Sequence, residues 1–371
     1  MRLSGNVPLY LIVCTGLVVS STSAAEWGLK KGTPELQSAG VLAFGPDGIL
    51  FVGDARSATI FAIQTQDMAG SPATVRLNIN NLGVQVAELL SASPEEIRVN
   101  DLAVNPLTGN AFLSVVHKKE NSDSVVVVKI DDEGVLTRLS LEDIDFSQVV
   151  LPNSPEDKLV QRGRRKRNPR LDSITDIAFT DGKLLVSGLV SGDSASNVRE
   201  IAFPFAEVNS GTSVEIYHGA HGRVEDYAAI RTFVPFNLGG EPQLLAAYVC
   251  TPLVRFPLKE LNAQESFRGT TIAELGNRNR PLDMIVYEKA GKEFLLLAND
   301  RRGVMKISTE DVAHNAGITE RVGGGETAGQ SYETIEELQD VVQLDKLNDT
   351  HALVMVQSPG SGASLLTITL P

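Results

Sequence analysis

The chain is poor in the residues that settle a chemistry by themselves. It has two cysteines. Cys14 lies in the apolar N-terminal stretch, so removal of that stretch leaves Cys250 alone and excludes an intrachain disulfide. Aromatic residues make up 5% of the sequence, with a single Trp, too few for extended base-stacking platforms. Positive charge is in deficit: 33 Lys and Arg against 46 Asp and Glu give a net charge of −13. That balance argues against nucleic acid or an anionic membrane as the main partner, because phosphate recognition needs a basic footprint. No CxxCH, GxSxG or GxGxxG occurs, so haem attachment, a serine-hydrolase elbow and a dinucleotide fingerprint are without support. Past residue 19 no apolar run approaches the ~20 residues of a membrane span.

What is present begins with a leader pattern. Arg2 precedes an apolar stretch over residues 7–19, and the small residues Ser20-Ser21-Thr22-Ser23-Ala24-Ala25 follow. This order is that of a secretory signal peptide over residues 1–25. It predicts an exported protein, periplasmic or secreted, without a membrane span in the mature chain. Residues 26–371 are expected to form a single domain. With no disulfide available, such a domain is held by its core, which ~345 residues can supply.

The remainder repeats. Residues 41–63, VLAFGPDGILFVGDARSATIFAI, are three short apolar runs separated by Gly45-Pro46-Asp47-Gly48 and a polar bend, the pattern of an antiparallel meander. A fourth run at 73–79 completes the unit, and a short helix is predicted over 84–92. Similar units open near residues 99, 174, 224, 281 and 338, spaced by about 50 to 75 residues. Six such units predict an all-β fold, a six-bladed β-propeller of four-stranded antiparallel blades. The last unit holds only three strands, so an N-terminal strand at residues 26–33 is expected to close the ring. Residues 151–171 form a basic insertion between blades, carrying Arg162 to Arg170 in an otherwise acidic chain. They read as a solvated loop, with a docking patch for an anionic partner as the functional alternative. Gly323-Gly324-Gly325 has no Lys-Ser/Thr after it and is weak as a phosphate cradle.

Superimposing the unit openings aligns Asp101, Asp176, Asp226, Asp283 and Asp340, with Gly40 in the first unit. Period-2 geometry puts equivalent residues on one side of the inner strands, so these carboxylates are expected at one mouth of the central channel. Like charges so gathered call for a cation, and Ca²⁺ or another divalent ion suits an oxygen cage to which Asn100 adds a neutral oxygen. An Asp in this position can instead accept backbone N–H groups and lock blades together.

The segments VNDLAVNPLTGNAFLSVV and PLDMIVYEKAGKEFLLLA resemble blades of NHL-repeat and gluconolactonase-type (senescence-marker-like) six-bladed propellers. In the lactonase group a Glu, two Asn and an Asp hold a divalent metal at the channel mouth. The resemblance implies a ligand role for Asn100, with Asp101 beside it, and a looser one for Asp283. Ser38-Ala39-Gly40 stands where the Glu belongs, and Thr175-Asp176 where the other Asn does.

A second polar cluster is Tyr217-His218-Gly219-Ala220-His221-Gly222. Two histidines three apart can ligate a transition metal with Cys250 or a carboxylate, or simply form a turn. Arg231 and the Arg301-Arg302 pair are candidates for clamping an anionic group. Three functional readings follow. The first is an exported binding module that takes a small molecule or a protein at one channel mouth. The second is a metal-dependent lactonase or esterase-type hydrolase, with Asp101 or Asp283 as base beside the cation. The third is a copper redox site at the His-x-x-His turn.

Overall fold

The computed structural model describes residues 26–371 apart from 120–122, 163–164, 251, 262–264, 324 and 359–361. The leader expected over residues 1–25 and Gly324 of the glycine run lie outside the described residues. No helix among the described residues is long and apolar enough to cross a membrane.

The β-branched and apolar runs pair into six sheets of four or more strands, with one separate two-stranded hairpin. Blade one contains Leu42–Phe44, Ile49–Asp54 and Thr59–Gln64. Its second and third strands are buried at every residue, because neighbouring blades cover both faces of each sheet. The 45–48 turn bends where Asp47 and Gly48 take positive φ (51° and 68°), and Gly45 N–H closes it on Ile49 O at 2.8 Å. Blade two begins with Ile97–Val104, blade three with Asp176–Thr180, blade four with Thr232–Leu238, blade five with Pro281–Lys289 and blade six with Val341–Lys346. This is the six-bladed all-β propeller that the spacing predicts.

The ring does not follow the chain. Inner-strand contacts run one, three, four, five, six, two and back to one. Six apolar layers separate neighbours in the same order: Phe51 with Val186, Val214 with Leu244, Leu253 with Leu295, Leu296 with Val354, Leu353 with Leu113, and Phe112 with Leu50. Blade two therefore sits between six and one. After blade one the chain crosses to the outer edge of blade six, where Asn78–Ile79 pairs with Gly362–Thr369. Helix Leu82–Leu90 follows, burying Leu82 and Val86 against blades two and six, and blade two is built next. The chain then returns to give blade one its fourth strand, Ile144–Val150.

Three expectations change accordingly. The strand closing blade six is Asn78–Ile79, whereas Lys30–Gly32 adds a fifth strand outside Ile144–Val150. The 73–79 run thus serves blade six rather than blade one. Residues 224–227 do not open blade four: Arg223–Glu225 forms a hairpin with Thr212–His218 of blade three. Within the basic insertion Val160–Arg162 pairs with Arg165–Arg167, and the following turn, Pro169–Asp172, leads back to the channel.

Candidate functional site

Bulges define the equivalent channel positions. Register shifts immediately before Asp101, Asp283 and Gln343 place those three residues alike at the wall. Asp176 opens the inner strand of blade three. Asp101, Asp176 and Asp283 line two cavities at once: one of about 380 Å³ that runs past Phe44, Pro106, Pro235 and Val286, and one of about 230 Å³ toward Asn100, Asp172, Arg231, Arg280 and Gln343. The three carboxylates are therefore the waist of the channel.

Each carboxylate ties two strands. Asp101 Oδ2 accepts Leu42 N–H at 2.6 Å, Asp176 Oδ2 accepts Phe233 N–H at 2.8 Å, and Asp283 Oδ2 accepts Leu344 N–H at 2.8 Å. In every case the donor lies on the adjacent blade. The other oxygen of Asp176 and of Asp283 takes the N–H of the next residue at 2.8 Å. Asp345 repeats the device one step deeper, accepting Val104 N–H at 2.7 Å and Lys346 N–H at 2.7 Å. Burial pushes all four carboxyls upward: Asp176 to about 7, Asp345 to about 6, and Asp101 and Asp283 well above the ordinary range. Mutual repulsion among these carboxylates adds to the rise for Asp101 and Asp283.

Two of the five aligned aspartates are not at the channel. Asp226 follows the blade-three hairpin and accepts Ser194 Oγ–H at 2.6 Å. Asp340 takes a positive φ (56°) in the turn before Val341; the bulge equivalent to those before Asp101 and Asp283 falls between Val341 and Gln343, so Gln343 holds the aligned channel position and Asp340 lies three residues before it. Asp345 replaces it, and its two-residue offset from Gln343 keeps it on the same strand face. Asn100 borders the mouth, but its amide nitrogen donates to Ala39 O at 2.6 Å. The lactonase-type metal set is not reproduced. No acid stands at 38–40, where Ser38 instead donates to Asp54 at 2.6 Å, and both oxygens of Asp283 are engaged by backbone donors.

Above the waist the mouth is cationic. Arg231 Nη1 donates to Asp172 Oδ1 at 2.9 Å, while its Nε is buried without a partner. The Arg280 guanidinium makes no hydrogen bond or ion pair among the described residues. Burial, and next the neighbouring Arg231 charge, hold it below its ordinary value. Gln343 donates to Asn100 O at 3.2 Å, and its Oε1 is buried and unsatisfied. The mouth continues into a depression of about 950 Å³ along Arg56, Arg98, Asp123 and Arg280. Leu171, the last residue of the basic insertion, and Asp172 just after it belong to this rim. The segment that follows packs tightly on blade three: a Cβ on Gly188 would lie 2.0 Å from Ser173 O. Arg301 and Arg302 do not line the mouth. Arg302 reaches Asn277 O at 3.4 Å, and Arg301 N–H donates to Asn279 Oδ1 at 3.3 Å.

The His-x-x-His turn is a separate centre on blade three. Gly222 N–H returns to His218 O at 2.8 Å with Gly222 at φ 67°, which sets the two imidazoles 3.9 Å apart between centroids. The hairpin pairs His218 with Arg223, so Glu225 is its diagonal neighbour on the same face. Glu225 Oε2 meets His218 Nδ1 at 3.0 Å, and Oε1 meets His221 Nδ1 at 2.7 Å. Arg223 Nε and Tyr227 OH also donate to Oε1, each at 3.0 Å. Burial alone would raise Glu225, but the His218, His221 and Arg223 contacts outweigh it and hold the carboxyl far below the usual range. From blade four, Glu274 accepts Gly219 N–H at 2.5 Å. Glu225 and Glu274 were not legible as partners of these histidines; the tight HGR turn between strand halves is the one signal for Glu225.

Comparison with known proteins assigns no activity. No family model and no curated protein matches the chain. Among solved structures it is similar to a putative oxidoreductase (glucose dehydrogenase) from Thermus thermophilus, at 14% identity and TM-score 0.35, covering 92% of this chain and all of that one. A chain of the mitotic checkpoint complex is similar at 7% identity and TM-score 0.39, with 92% and 93% covered. The extracellular domain of a putative one-component system from B. thetaiotaomicron is similar at 8% identity and TM-score 0.35, and this chain spans 39% of its length.

Proposed function

We propose that the protein is a binding module whose channel mouth takes a small, hydroxylated anion, such as a sugar acid. The carrying observation is the pair of arginines lining one mouth: Arg280 is exposed there and has no ion-pair partner among the described residues, and Arg231 keeps a buried Nε–H without an acceptor. Two guanidinium groups facing one concave mouth favour carboxylate or phosphate, which they hold through charge-assisted bonds. The unsatisfied Gln343 Oε1 asks for a donor such as a hydroxyl. A chamber of about 230 Å³ suits a ligand of a few carbon atoms and a carboxylate. The six packed blades make the rim rigid, so little ordering cost attends binding. The leader-like residues 1–25 support an exported location for this module, periplasmic or secreted.

Titration calorimetry with gluconate, galacturonate, phosphate and uncharged glucose is the test. Binding of an anion but not of glucose is expected, weakened at least about tenfold by Arg280→Ala or Arg231→Ala with the fold retained. If no anion binds, or if the arginine variants bind equally well, the reading fails.

The calcium-dependent hydrolase is the second reading, and its support is narrower. It rests on the three waist carboxylates, whose repulsion a divalent ion would relieve. Lactone or aryl-ester turnover in Ca²⁺, abolished by Asp101→Asn or Asp283→Asn, is its requirement.

A further inference from the structure

A group of side chains outside the channel has the composition and second sphere of a metal centre. One nitrogen from each of His218 and His221 and the Cys250 sulfur lie within 4.8 Å of one another. Both Nδ1 atoms are already taken by Glu225, so Nε2 is what each ring has to offer. His218 is 97% buried, being 3% exposed, and its Nε2 has no partner. A buried, unpartnered imidazole nitrogen is costly unless something occupies it.

The outer arrangement points the same way. A metal-bound histidine commonly gives its second nitrogen to a carboxylate, which fixes tautomer and ring orientation. Here one carboxylate does this for two rings, and Arg223 and Tyr227 hold that carboxylate in turn. Cys250 arrives from blade four with a positive φ (65°), and its N–H is anchored on Asn279 O at 2.8 Å. Such a conformation is unfavourable for a residue with a side chain. It presents the thiol to a turn of the neighbouring blade. Glu274 Oε2, also from blade four, is a second buried atom without a partner beside this turn.

We infer that His218, His221 and Cys250 form a three-ligand site for a borderline transition metal, Zn²⁺ or Cu²⁺, bridging blades three and four. Two imidazoles and a thiolate select that class over Ca²⁺ or Mg²⁺, which prefer oxygen. Tetrahedral Zn–N bonds of ~2.0 Å and Zn–S bonds of ~2.3 Å put donor atoms ~3.5 Å apart, within reach of side-chain rotation for atoms that already lie inside 4.8 Å of one another. The exposed edge at His221 leaves a fourth position to water or to Glu274.

Cobalt titration of the full-length mature protein, reduced and metal-stripped, tests this. Co²⁺ is expected to bind at about one equivalent with a thiolate-to-metal charge-transfer band and tetrahedral visible bands, and Zn²⁺ is expected to displace it. Cys250→Ser removes the charge-transfer band, and His221→Ala weakens binding at least about tenfold. Glu225→Gln weakens it by ~10- to 100-fold, while Arg280→Ala leaves the spectrum unchanged. His221 is 45% exposed at its side chain, so its variant tests binding without disturbing the core. Absence of a charge-transfer band in the wild type, or its persistence in folded Cys250→Ser, overturns the site.

Discussion

Asp101 Oδ2 accepts the backbone N–H of Leu42 at 2.6 Å across the boundary between blades two and one. A single side chain thus joins sheets that are far apart in sequence, and three other aspartates repeat the device around the channel. Gathering these carboxylates makes the fold sensitive to pH in a direction opposite to that of ordinary surface acids. Their folded pKa values are raised, to about 7 for Asp176 and about 6 for Asp345. The fold therefore binds protons that the unfolded chain has released. The stabilising contribution is complete below the unfolded value near ~4 and is lost as pH rises through ~6 to 7. The urea midpoint is expected to rise between pH 8 and pH 5. Asp176→Asn flattens that slope and costs about 1 kcal/mol at pH 5, for one altered backbone bond. A midpoint that falls over the same interval contradicts the assignment.

Asp67 supplies the opposite limb. Nearly fully buried, it receives Lys129 Nζ at 2.6 Å, Thr108 Oγ1 at 2.6 Å, and the Asn105 and Asn110 amides at 2.8 Å each. Burial pushes this carboxyl up, but the four donors together hold it below its ordinary value. Its stabilisation is present above ~4 and is lost as pH falls through the lowered value. Asp67→Ala leaves Lys129, Thr108 and Asn110 without their acceptor, while Asn105 keeps the Asp67 backbone carbonyl at 2.7 Å, and is expected to cost about 3 to 5 kcal/mol in urea unfolding at pH 7. Lys129→Met, which spares the three neutral donors, costs about 1 to 2 kcal/mol.

Ring closure depends on residue 79 more than on residue 31. Ile79 is 7% exposed, packs between blades two and six, and pairs with Leu365 in the closing strand. Leu77 and Thr367 reinforce it through two hydrogen bonds, of 2.8 and 2.9 Å. Ile79→Ala is expected to destabilise by about 2 to 4 kcal/mol. Lys31→Ala loses an ion pair at 3.8 Å to Asp145 and an exposed hydrogen bond at 3.4 Å to Asp143 O, and changes stability by less than about 0.5 kcal/mol. Thermal unfolding of the two variants side by side checks the ranking. Equal losses would assign closure to the wrong segment.

Much of the architecture is written locally. Alternating and continuous apolar runs, with turns such as Gly45-Pro46-Asp47-Gly48, specify strands and their number, because strand formation and tight turns depend on nearby residues. Six blades and three of the waist aspartates follow from that repetition. So does the association of His218 with His221, since a single turn brings residues three apart together.

Other features depend on which edges meet. Nothing in Asn78–Ile79 marks it for blade six; it is placed there because the chain must pass that edge to reach blade two. The bulge between Val341 and Gln343 puts Gln343, not Asp340, at the channel position of Asp101 and Asp283, with Asp345 two residues further along, and where a bulge falls depends on the partner strand as much as on its own sequence. Arg280 comes to the mouth beside Arg231, and Cys250 beside His218, only because blades four and five, and three and four, are ring neighbours. Local propensity made the blades; the long-range packing of their faces chose the ring order, and with it which distant side chains share a site.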